Sequence, residues 1–427
     1  MIEFIGSIFY LYESMTMEQQ RNPLWTKNFT IITIGSMVSL LGTVISGFAS
    51  GLMVLDFTES VFLFSLFMIA TTIPSIIVPT IVGPLLDKFS RRRTIFMLDF
   101  ASSAIYMTFG IVLSKGTITY PLLLAGSITL GCINATYRVA FESLYPMLVT
   151  EGNMSKAYSV SSTLDSLIMV VTPLSVFLYH NIGIAKLYML DAAFFFIAAL
   201  FEMQVKVDES YKKKEEEHFG LKQYKETFVE GMKYLWSEKG LFFIAVYFFF
   251  LSLDGGAGQV VGLPYFRERF TNGDYIFIFI QGAGVLGRVI AGAFHYKNKI
   301  PKEKKFNITF FVYASITVIA ATYLFTPIPI MIALMLISGM LSMTSYNIRI
   351  STTQSYVPNE KKGRFNGAFQ VISTTGSLTG QFFAGLMADH MDKRMVIVIF
   401  AVMDLIMLWA ILYRKREHVK GVYNRDA

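Results

Sequence analysis

The stretch from Gly83 to Arg93 reads Gly-Pro-Leu-Leu-Asp-Lys-Phe-Ser-Arg-Arg-Arg and separates two long apolar segments. The segment before it covers 60–85, and the segment after it covers 94–114. Each is long enough to cross a bilayer as a helix, which takes about 20 mostly apolar residues. A short basic loop between two such segments is typical of a chain that turns at a membrane surface. The stretch therefore predicts an integral membrane protein.

The composition of the whole chain favours the same class of protein. Its 427 residues are 54% hydrophobic and 16% charged, and the mean hydropathy is +0.51. A soluble domain carries about 25% charged residues, so this chain has too few to cover a surface that faces water. The single cysteine, Cys132, excludes an intrachain disulfide and a cysteine-based metal site. We expect neither a metal nor a cofactor.

Apolar segments of spanning length recur along the chain, and we count twelve. Backbone polar groups cannot stay unpaired in hydrocarbon, so segments of this length must be helices. The predicted fold class is an all-α integral membrane protein with twelve transmembrane helices. They cover 29–54, 60–85, 94–114, 120–145, 158–179, 184–204, 240–264, 274–296, 306–325, 328–350, 364–386 and 394–413.

The positions of the basic residues predict the orientation. Of the 37 lysines and arginines, 28 lie on the side that holds both termini and 6 lie in the loops on the opposite side. Because basic loops stay in the cytoplasm, we expect a multi-pass protein of the plasma or inner membrane with both termini cytoplasmic. The net charge of +7 is then a topology signal. We expect a monomer whose partners are a small-molecule substrate and membrane lipids, with no nucleic acid.

The longest loop, 205–239, divides the predicted helices into six and six. Apolar residues from Tyr224 to Trp236 recur there at spacings of three and four, which predicts an amphipathic helix on the inner membrane surface. In the first tail, Met15 and Met17 precede a more ordinary cytoplasmic lead, so a mis-assigned start is an alternative. The predicted parts are a tail at 1–28, a bundle at 29–204, the linker at 205–239, a bundle at 240–413 and a tail at 414–427.

The two halves repeat each other weakly. Tyr137 and Arg138 are followed by Pro146, and 211 residues later Ile348 and Arg349 are followed by Pro358. A repeat at half the chain length indicates a transporter built from duplicated six-helix units.

The opening stretch is similar to the signature loop of the major facilitator superfamily, glycine–x–leucine–x–aspartate–basic–x–glycine–basic–basic, with Ser90 in place of the second glycine. The arginine cluster followed by Asp99, the segment 190–194 and the segment 230–235 resemble the subgroup of macrolide efflux proteins and the enterobactin exporter. The resemblance implies two pseudo-symmetric six-helix bundles that rock about a central site. It also implies export of an amphipathic small molecule, driven by the proton gradient.

Other functions stay open or are excluded by specific residues. The family's drug–proton antiporters carry a glycine- and proline-rich motif in the fifth helix, and here only Pro173 remains. Proton antiport is therefore open, with uptake or lipid flipping on the same scaffold as the alternative and a non-transporting receptor or scaffold as a further one. An ATP-driven pump would need a phosphate-binding glycine–lysine loop, which the sequence lacks. We expect no enzyme and no catalytic residues, because no loop is large enough for a catalytic constellation.

Charges near the predicted cytoplasmic end of the first half form one candidate network. Arg138 and Glu142 are four apart and share a helix face, and Asp99 lies equally near that surface. The resemblance implies that such a network latches the cytoplasmic side, whereas a static ion-pair cluster that fixes topology is the alternative. The candidate gate residues are Gly83, Asp87, Arg91, Arg92, Asp99, Arg138 and Glu142.

Three acidic residues lie deeper in the predicted helices, namely Asp165, Asp254 and Asp404. Burial disfavours an ionised carboxyl, as a proton-coupling site requires. Asp254 is the first choice, because Gly255–Gly258 follows it and predicts a flexible point in the helix. The alternative for each is a carboxyl hydrogen-bonded to a neighbouring helix.

Two arginines lie inside predicted helices and cannot lose their protons. Each needs a carboxylate, a carbonyl, water or an anionic substrate as its partner. Pairing with Asp254 is one alternative for Arg288, and Arg349 either forms a structural pair or binds an anionic substrate. The candidate cavity and substrate residues are Arg288, Arg349, Gln259, Asn134 and Gln370.

Overall fold

The computed structural model describes residues 23–86, 89–207, 221–298 and 300–425, with the side chains at 80, 84–85, 162–170, 221–228 and 297 left aside. All regular secondary structure in these ranges is helical. The helices are α1 (Lys27–Thr58), α2 (Val61–Leu86), α3 (Arg91–Ser114), α4 (Tyr120–Leu144), α5 (Met154–Ile182), α6 (Ile184–Glu202), α7 (Leu221–Ser237), α8 (Lys239–Arg269), α9 (Gly273–Lys297), α10 (Lys305–Thr322), α11 (Ile328–Tyr356), α12 (Asn359–Ala388), α13 (Lys393–Met407) and α14 (Arg416–Tyr423).

Within the described ranges, ten helices are long and apolar enough to cross a membrane. They are all of the helices above except α5, α7, α12 and α14. The other two predicted spans coincide with α5 and α12. α12 has the length of a span, but its many glycine, serine, threonine and glutamine residues make it less apolar. The all-α membrane fold is thus confirmed, while the number twelve stays a prediction.

The described residues group into two compact units. Unit 1 contains the described residues up to Ser50 and those from Ile77 to Val207. Unit 2 contains Gly51–Ile76 and everything described from Leu221 onward. The last turns of α1 and the first part of α2 therefore belong to unit 2, and polar contacts that hold them there are described below.

The core of unit 1 lies where α1 begins and α2 gives way to α3. Phe29, Ile95 and Leu144 are fully buried there and come from three different helices. α3 begins at Ser90, whose hydroxyl accepts a hydrogen bond from the Arg93 amide at 3.1 Å and so caps the helix. Ser90 has an ordinary φ of −67°, so this position needs no glycine and gains a cap from serine.

Glycines set the close helix contacts of unit 2. A Cβ built on Gly256 of α8 would meet the backbone of Ser377, and Cβ atoms on Gly376 and Gly380 of α12 would meet the backbones of Phe249 and Leu253. Three glycines thus let α8 and α12 approach backbone to backbone, as small residues do in membrane helix pairs. The pair α9 and α11 makes the same kind of contact through Gly287 and Gly339.

Two helices outside the predicted spans complete unit 2. α7 is the predicted amphipathic linker helix, and its Leu235 is buried in the core of the unit while Trp236 is exposed. α14 lies where the sequence analysis places only a tail. Its Val419, Val422 and Tyr423 are buried in the same core, because apolar residues at these spacings form one face of a helix.

Candidate functional site

The arginines of the predicted gate bind the ends of two neighbouring helices in unit 1. Arg91 donates from Nη1 to the Ser143 carbonyl, in the last turn of α4, at 3.2 Å. Arg92 donates from Nη2 to the carbonyl of Met203, the residue that follows α6. Carbonyls at a helix C-terminus lack partners within the helix and favour a positive charge. Arg91 and Arg92 therefore tie the start of α3 to the ends of α4 and α6.

The other predicted gate residues do not form a single cluster in the part of the chain that the structure describes. Arg138 and Glu142 form the expected pair, with Nε 2.9 Å from Oε1 and both side chains more than 60% exposed. No described atom lies within 4 Å of a Cβ built on Gly83, so this glycine makes no close helix contact among the described residues. Asp87 lies outside the described residues. The latch itself therefore stays a prediction.

Asp99, also placed in the predicted gate, has a different set of neighbours. It is only 2% exposed, and Ser39 of α1 donates to its Oδ2 at 2.6 Å. One turn before Ser39 on α1, a Cβ built on Gly35 would lie 2.9 Å from Cγ of Glu202, the last residue of α6, so Glu202 lies beside Asp99. Tyr137 of α4 donates to Glu202 Oε1 at 2.7 Å. The structure thus groups Asp99 with Glu202 rather than with Arg138 and Glu142.

Sequence reasoning missed Glu202 and covered Asp191 only as part of the segment 190–194, which carries the subgroup resemblance. Asp191 is fully buried on α6, one turn before Phe195, whose ring stacks on Tyr106 of α3 with centroids 5.3 Å apart. Within the described residues, no hydrogen-bond donor meets either of its carboxyl oxygens under standard geometry. An acid inside an apolar segment of spanning length is a signal that marks Asp191, but it is weak for Glu202, which lies only two residues from the end of the predicted segment 184–204.

Asp254, the first choice for proton coupling, lies on α8 beside the glycine contact with α12. It is 7% exposed, and no described donor reaches its buried Oδ1. It forms no ion pair with Arg288 among the described residues, and Arg288 is exposed on α9. The expected flexible point after Asp254 is not a break, because α8 continues without interruption through Gly255–Gly258. The glycines there serve close packing or face open space.

Asp404 is fully buried in α13 and has the hydrogen-bonded environment that the sequence analysis gave as its alternative. Thr317 of α10 donates to its Oδ2 at 2.6 Å, and the Tyr247 hydroxyl lies 3.4 Å from the same oxygen. α13 then widens into a π-helical turn at Leu408–Tyr413, a feature that is frequent near functional sites. The side chain of the third acid, Asp165, lies outside the described residues.

Arg349 lies in a cage of aromatic rings in unit 2. Its guanidinium carbon is 4.8 Å from the Phe369 ring centre, 5.2 Å from that of Phe248 and 5.7 Å from that of Tyr346. In the part of the chain that the structure describes, it has no carboxylate partner within ion-pair distance. Aromatic faces stabilise a guanidinium without neutralising it, so its positive charge stays available.

Polar side chains follow exposed faces of several helices. Asn134 and Arg138 are exposed one turn apart on α4. In unit 2, Gln381 donates to exposed Gln259 at 3.0 Å, and exposed Gln370 donates to Thr374 at 3.1 Å. Polar side chains inside spanning helices face water or protein rather than lipid, so each of these faces is suited to contact water within its own unit.

A second polar cluster, which sequence reasoning did not find, lies at the predicted outer end of unit 2. Arg267 near the end of α8 contacts Asp56 of α1 and forms an ion pair with Asp274 of α9 at 3.0 Å. Asp389, after α12, accepts from the Ser60 hydroxyl and the Val61 amide, each at 2.6 Å. These contacts hold the last turns of α1 and the start of α2 in unit 2.

These features define the class of the protein. Within the described residues the chain is helical, ten helices are long and apolar enough to span a membrane, and no three His, Cys, Asp or Glu side chains group as metal ligands. Residues 32–381 match the family described as the Major Facilitator Superfamily, and the chain belongs to that superfamily. It is therefore a multi-pass membrane transporter and not an enzyme.

Relatives and solved structures agree with the family. The chain is 23% identical over 292 residues to the uncharacterized MFS-type transporter YkuC of Bacillus subtilis (strain 168). That match covers 64% of this chain and spans 66% of the relative's length.

Two solved transporters have a similar fold. The nucleoside transporter NupG is 11% identical, with a TM-score of 0.65 over 91% of this chain and 99% of that one. A bacterial homologue of the iron transporter ferroportin, in an inward-facing state, is 14% identical with a TM-score of 0.66 over 90% and 98%. At such low sequence identity, the similarity to these structures shows the fold alone. The TM-scores confirm the predicted fold class.

Proposed function

We propose that the protein is a proton-coupled efflux transporter for an amphipathic small molecule such as a drug, a macrolide or a siderophore. It works by alternating access, with the proton gradient as its energy source and no cofactor. The protein lies in the plasma or inner membrane as a monomer with both termini in the cytoplasm. Beyond the substrate and membrane lipids, it has no partner and binds no nucleic acid.

The observation that carries this proposal is the environment of Asp254. The carboxyl is buried beside the α8–α12 contact, and no ion pair with a basic side chain forms there among the described residues. A buried carboxylate without a counter-charge is costly, and the group becomes stable when it takes up a proton. Asp254 can therefore bind a proton when its surroundings are closed and release it when water reaches it.

Asp404 supports proton binding in the same unit. Its carboxyl is fully buried, and one of its oxygens, Oδ1, has no described donor. A second buried carboxyl without an ion pair among the described residues is a further candidate for binding a proton.

The substrate class is supported by the polar faces and by Arg349. The exposed amides Asn134, Gln259 and Gln370 offer hydrogen bonds, and the aromatic rings around Arg349 offer flat apolar contact. Such a mixture of apolar surface with a few polar groups suits an amphipathic ligand. The resemblance to macrolide efflux proteins and the enterobactin exporter favours export over uptake.

At the predicted cytoplasmic end of unit 1, Asp87 and the arginines of the signature loop act as the latch that closes the transporter on that side. Support comes from Arg91 and Arg92, which hold the start of α3 to carbonyls at the ends of α4 and α6. A latch made of such contacts can release without breaking a helix.

Everted membrane vesicles test the proposed function. Vesicles with and without the protein are given an internally acidic pH gradient, and ethidium, erythromycin, enterobactin and lysophosphatidylcholine are added in turn. We expect one compound to enter the vesicles and to release protons from them only when the protein is present. Proton movement in the same direction as the compound would indicate symport, and thus uptake in the cell. Transport that is unaffected when the gradient is collapsed would contradict proton coupling.

A further inference from the structure

Asp99 and Glu202 form a buried pair of acids in unit 1, although they are far apart in the sequence. Asp99 is in the third turn of α3, about 12 Å along the helix from Arg91, and Glu202 is the last residue of α6. They are 2% and 1% exposed. Ser39 and Gly35 lie one turn apart on α1 and contact Asp99 and Glu202 respectively, so the two buried carboxyls lie close together.

The groups around the pair are neutral. Ser39 of α1 donates to Asp99, and Tyr137 of α4 donates to Glu202. Gly35 of α1 leaves room for Glu202, whose Cγ lies 2.9 Å from where a Cβ on that glycine would be. Glu202 Oε2 is buried, and no donor in the described residues reaches it. One carboxyl oxygen of the pair is therefore buried without a donor among the described residues.

Two basic residues, Arg92 and Lys206, lie close to the pair in the sequence. Arg92, on the same helix as Asp99, donates to the Met203 carbonyl. Lys206, beyond the end of α6, is held through its backbone, which exchanges hydrogen bonds with Asn28. Neither forms an ion pair with Asp99 or Glu202 among the described residues. Asp87, Lys88 and the side chain of Asp165 lie outside that part of the chain.

Two ionised carboxylates only accept hydrogen bonds, so they cannot bond to each other. A carboxyl–carboxylate contact needs one proton, which serves as the donor of one acid to the other. Two negative charges held close together in a buried place are also strongly unfavourable, as carboxyl pairs that share a proton show. We propose that Asp99 and Glu202 form a site that binds one proton between them.

The position of the site suggests what it does. It lies at the predicted cytoplasmic end of unit 1, beside the helix ends that Arg91 and Arg92 hold, and far along the chain from Asp254. Breaking the contacts of those arginines would admit water to the pair and release its proton. This last step rests on the proposed function, whereas proton binding by the pair does not.

Infrared difference spectra of the purified full-length protein at acidic and alkaline pH test the site. The carbonyl stretch of a protonated carboxyl that belongs to the pair should be present at neutral pH and should disappear in Asp99→Asn and in Glu202→Gln. Glu142→Gln is the control, because Glu142 is exposed and paired with Arg138, and it should leave the band unchanged. A wild-type band that survives in both pair variants would overturn the proposal.

Thermal unfolding as a function of pH gives a second measurement. The folded pair holds its proton more tightly than the unfolded chain does, so its contribution to stability is present at low pH and is lost as the pH rises. The unfolding temperature of the wild type should therefore fall on alkalinisation, and Glu202→Gln should remove part of that fall. An equal fall in both proteins would contradict the shared proton. A rise of the wild-type unfolding temperature in sodium over choline salt, absent in Glu202→Gln, would show a bound sodium ion instead.

A third variant keeps both acids and can be measured even if Asp99→Asn and Glu202→Gln do not fold. Tyr137→Phe removes only the hydroxyl that donates to Glu202, and the band of the pair should shift in frequency without being lost. An unshifted band would place the protonated carboxyl elsewhere and overturn the proposal. All of these measurements are made without a transported compound, so failure of the efflux proposal leaves their outcome unaffected.

Discussion

At the residue scale, the acids inside the apolar segments were visible in the sequence, but their partners were not. Asp254 and Asp404 stand out because an ionisable side chain is rare in a spanning helix. The partner of Asp404 is Thr317, 87 residues away, and only the packing of α10 on α13 brings the two together. Glu202 was missed because it falls at the edge of a predicted span, where a charge is ordinary.

The hydrogen bond to Asp404 predicts a loss of stability in Thr317→Val. The substitution keeps the shape of the side chain but removes a buried donor that lies 2.6 Å from Asp404 Oδ2. We expect the free energy of unfolding to fall by about 1–2 kcal/mol, measured by thermal unfolding in detergent. Thr322→Val on the same helix is the control, because that hydroxyl is exposed and bonds only within α10. Equal stability of both variants would show that the bond contributes nothing.

Asp87→Asn tests the latch at the signature loop. The substitution removes a negative charge four residues before the arginines in the sequence while keeping a side chain of the same size. We expect transport to be abolished while the protein still reaches the membrane at wild-type levels, measured by vesicle transport and by membrane fractionation. Full transport activity in Asp87→Asn would contradict the latch.

At the scale of helices, the glycines of α8 show why a motif can be read in two ways. The run Gly255–Gly258 predicted a flexible point, yet α8 is continuous there. Gly256 packs on the backbone of Ser377, whereas Gly255 and Gly258 face open space. Flexibility and close packing both favour glycine, so the sequence could not distinguish them without the position of α12.

The α8–α12 contact predicts a marked difference between two glycines of α12. A Cβ at Gly380 would lie 2.8 Å from the Leu253 carbonyl carbon, so Gly380→Ala must push the helices apart. We expect a loss of about 1–3 kcal/mol in the free energy of unfolding, measured by thermal unfolding. Gly367→Ala meets no described atom within 4 Å and should be neutral or stabilising by up to about 1 kcal/mol. A larger loss of stability in Gly367→Ala than in Gly380→Ala would contradict the close contact of α8 with α12.

α14 is an element that the sequence contained but that was interpreted as a tail. Val419, Val422 and Tyr423 have helical spacing, but the segment is short and basic, so its sequence alone favours a tail. Its burial depends on space left between the ends of α8, α10 and α11, which no local pattern reveals.

The cluster at the predicted outer end of unit 2 predicts that Arg267 contributes more to the stability of the fold than its neighbour Arg269 does. Arg267 contacts Asp56 and Asp274, and the latter is only 6% exposed. Arg267→Gln should lower the free energy of unfolding by about 1–3 kcal/mol, because a buried carboxylate loses its counter-charge. Arg269→Gln, at an exposed position two residues on, should change it by less than about 0.5 kcal/mol. Similar values from thermal unfolding of both variants would contradict the role of the cluster.

At the scale of the whole molecule, the fold class and the superfamily followed from the sequence, because the bilayer imposes long apolar helices on any chain that crosses it. The signature loop added the family. Substrate and coupling depend on which side chains meet across helices, and the sequence has no local sign of that. The pairing of Asp99 with Glu202 and the ring cage of Arg349 became visible only in the structure.

Proton coupling through Asp254 is the central claim, and one measurement tests it most directly. Purified wild type, Asp254→Asn and the exposed control Glu360→Gln are placed in liposomes with a pH-sensitive dye inside, and a compound transported in the vesicle screen is added. We predict that the wild type and Glu360→Gln move protons against the compound, and that Asp254→Asn moves the compound without protons. Proton movement of wild-type size in Asp254→Asn would contradict the account.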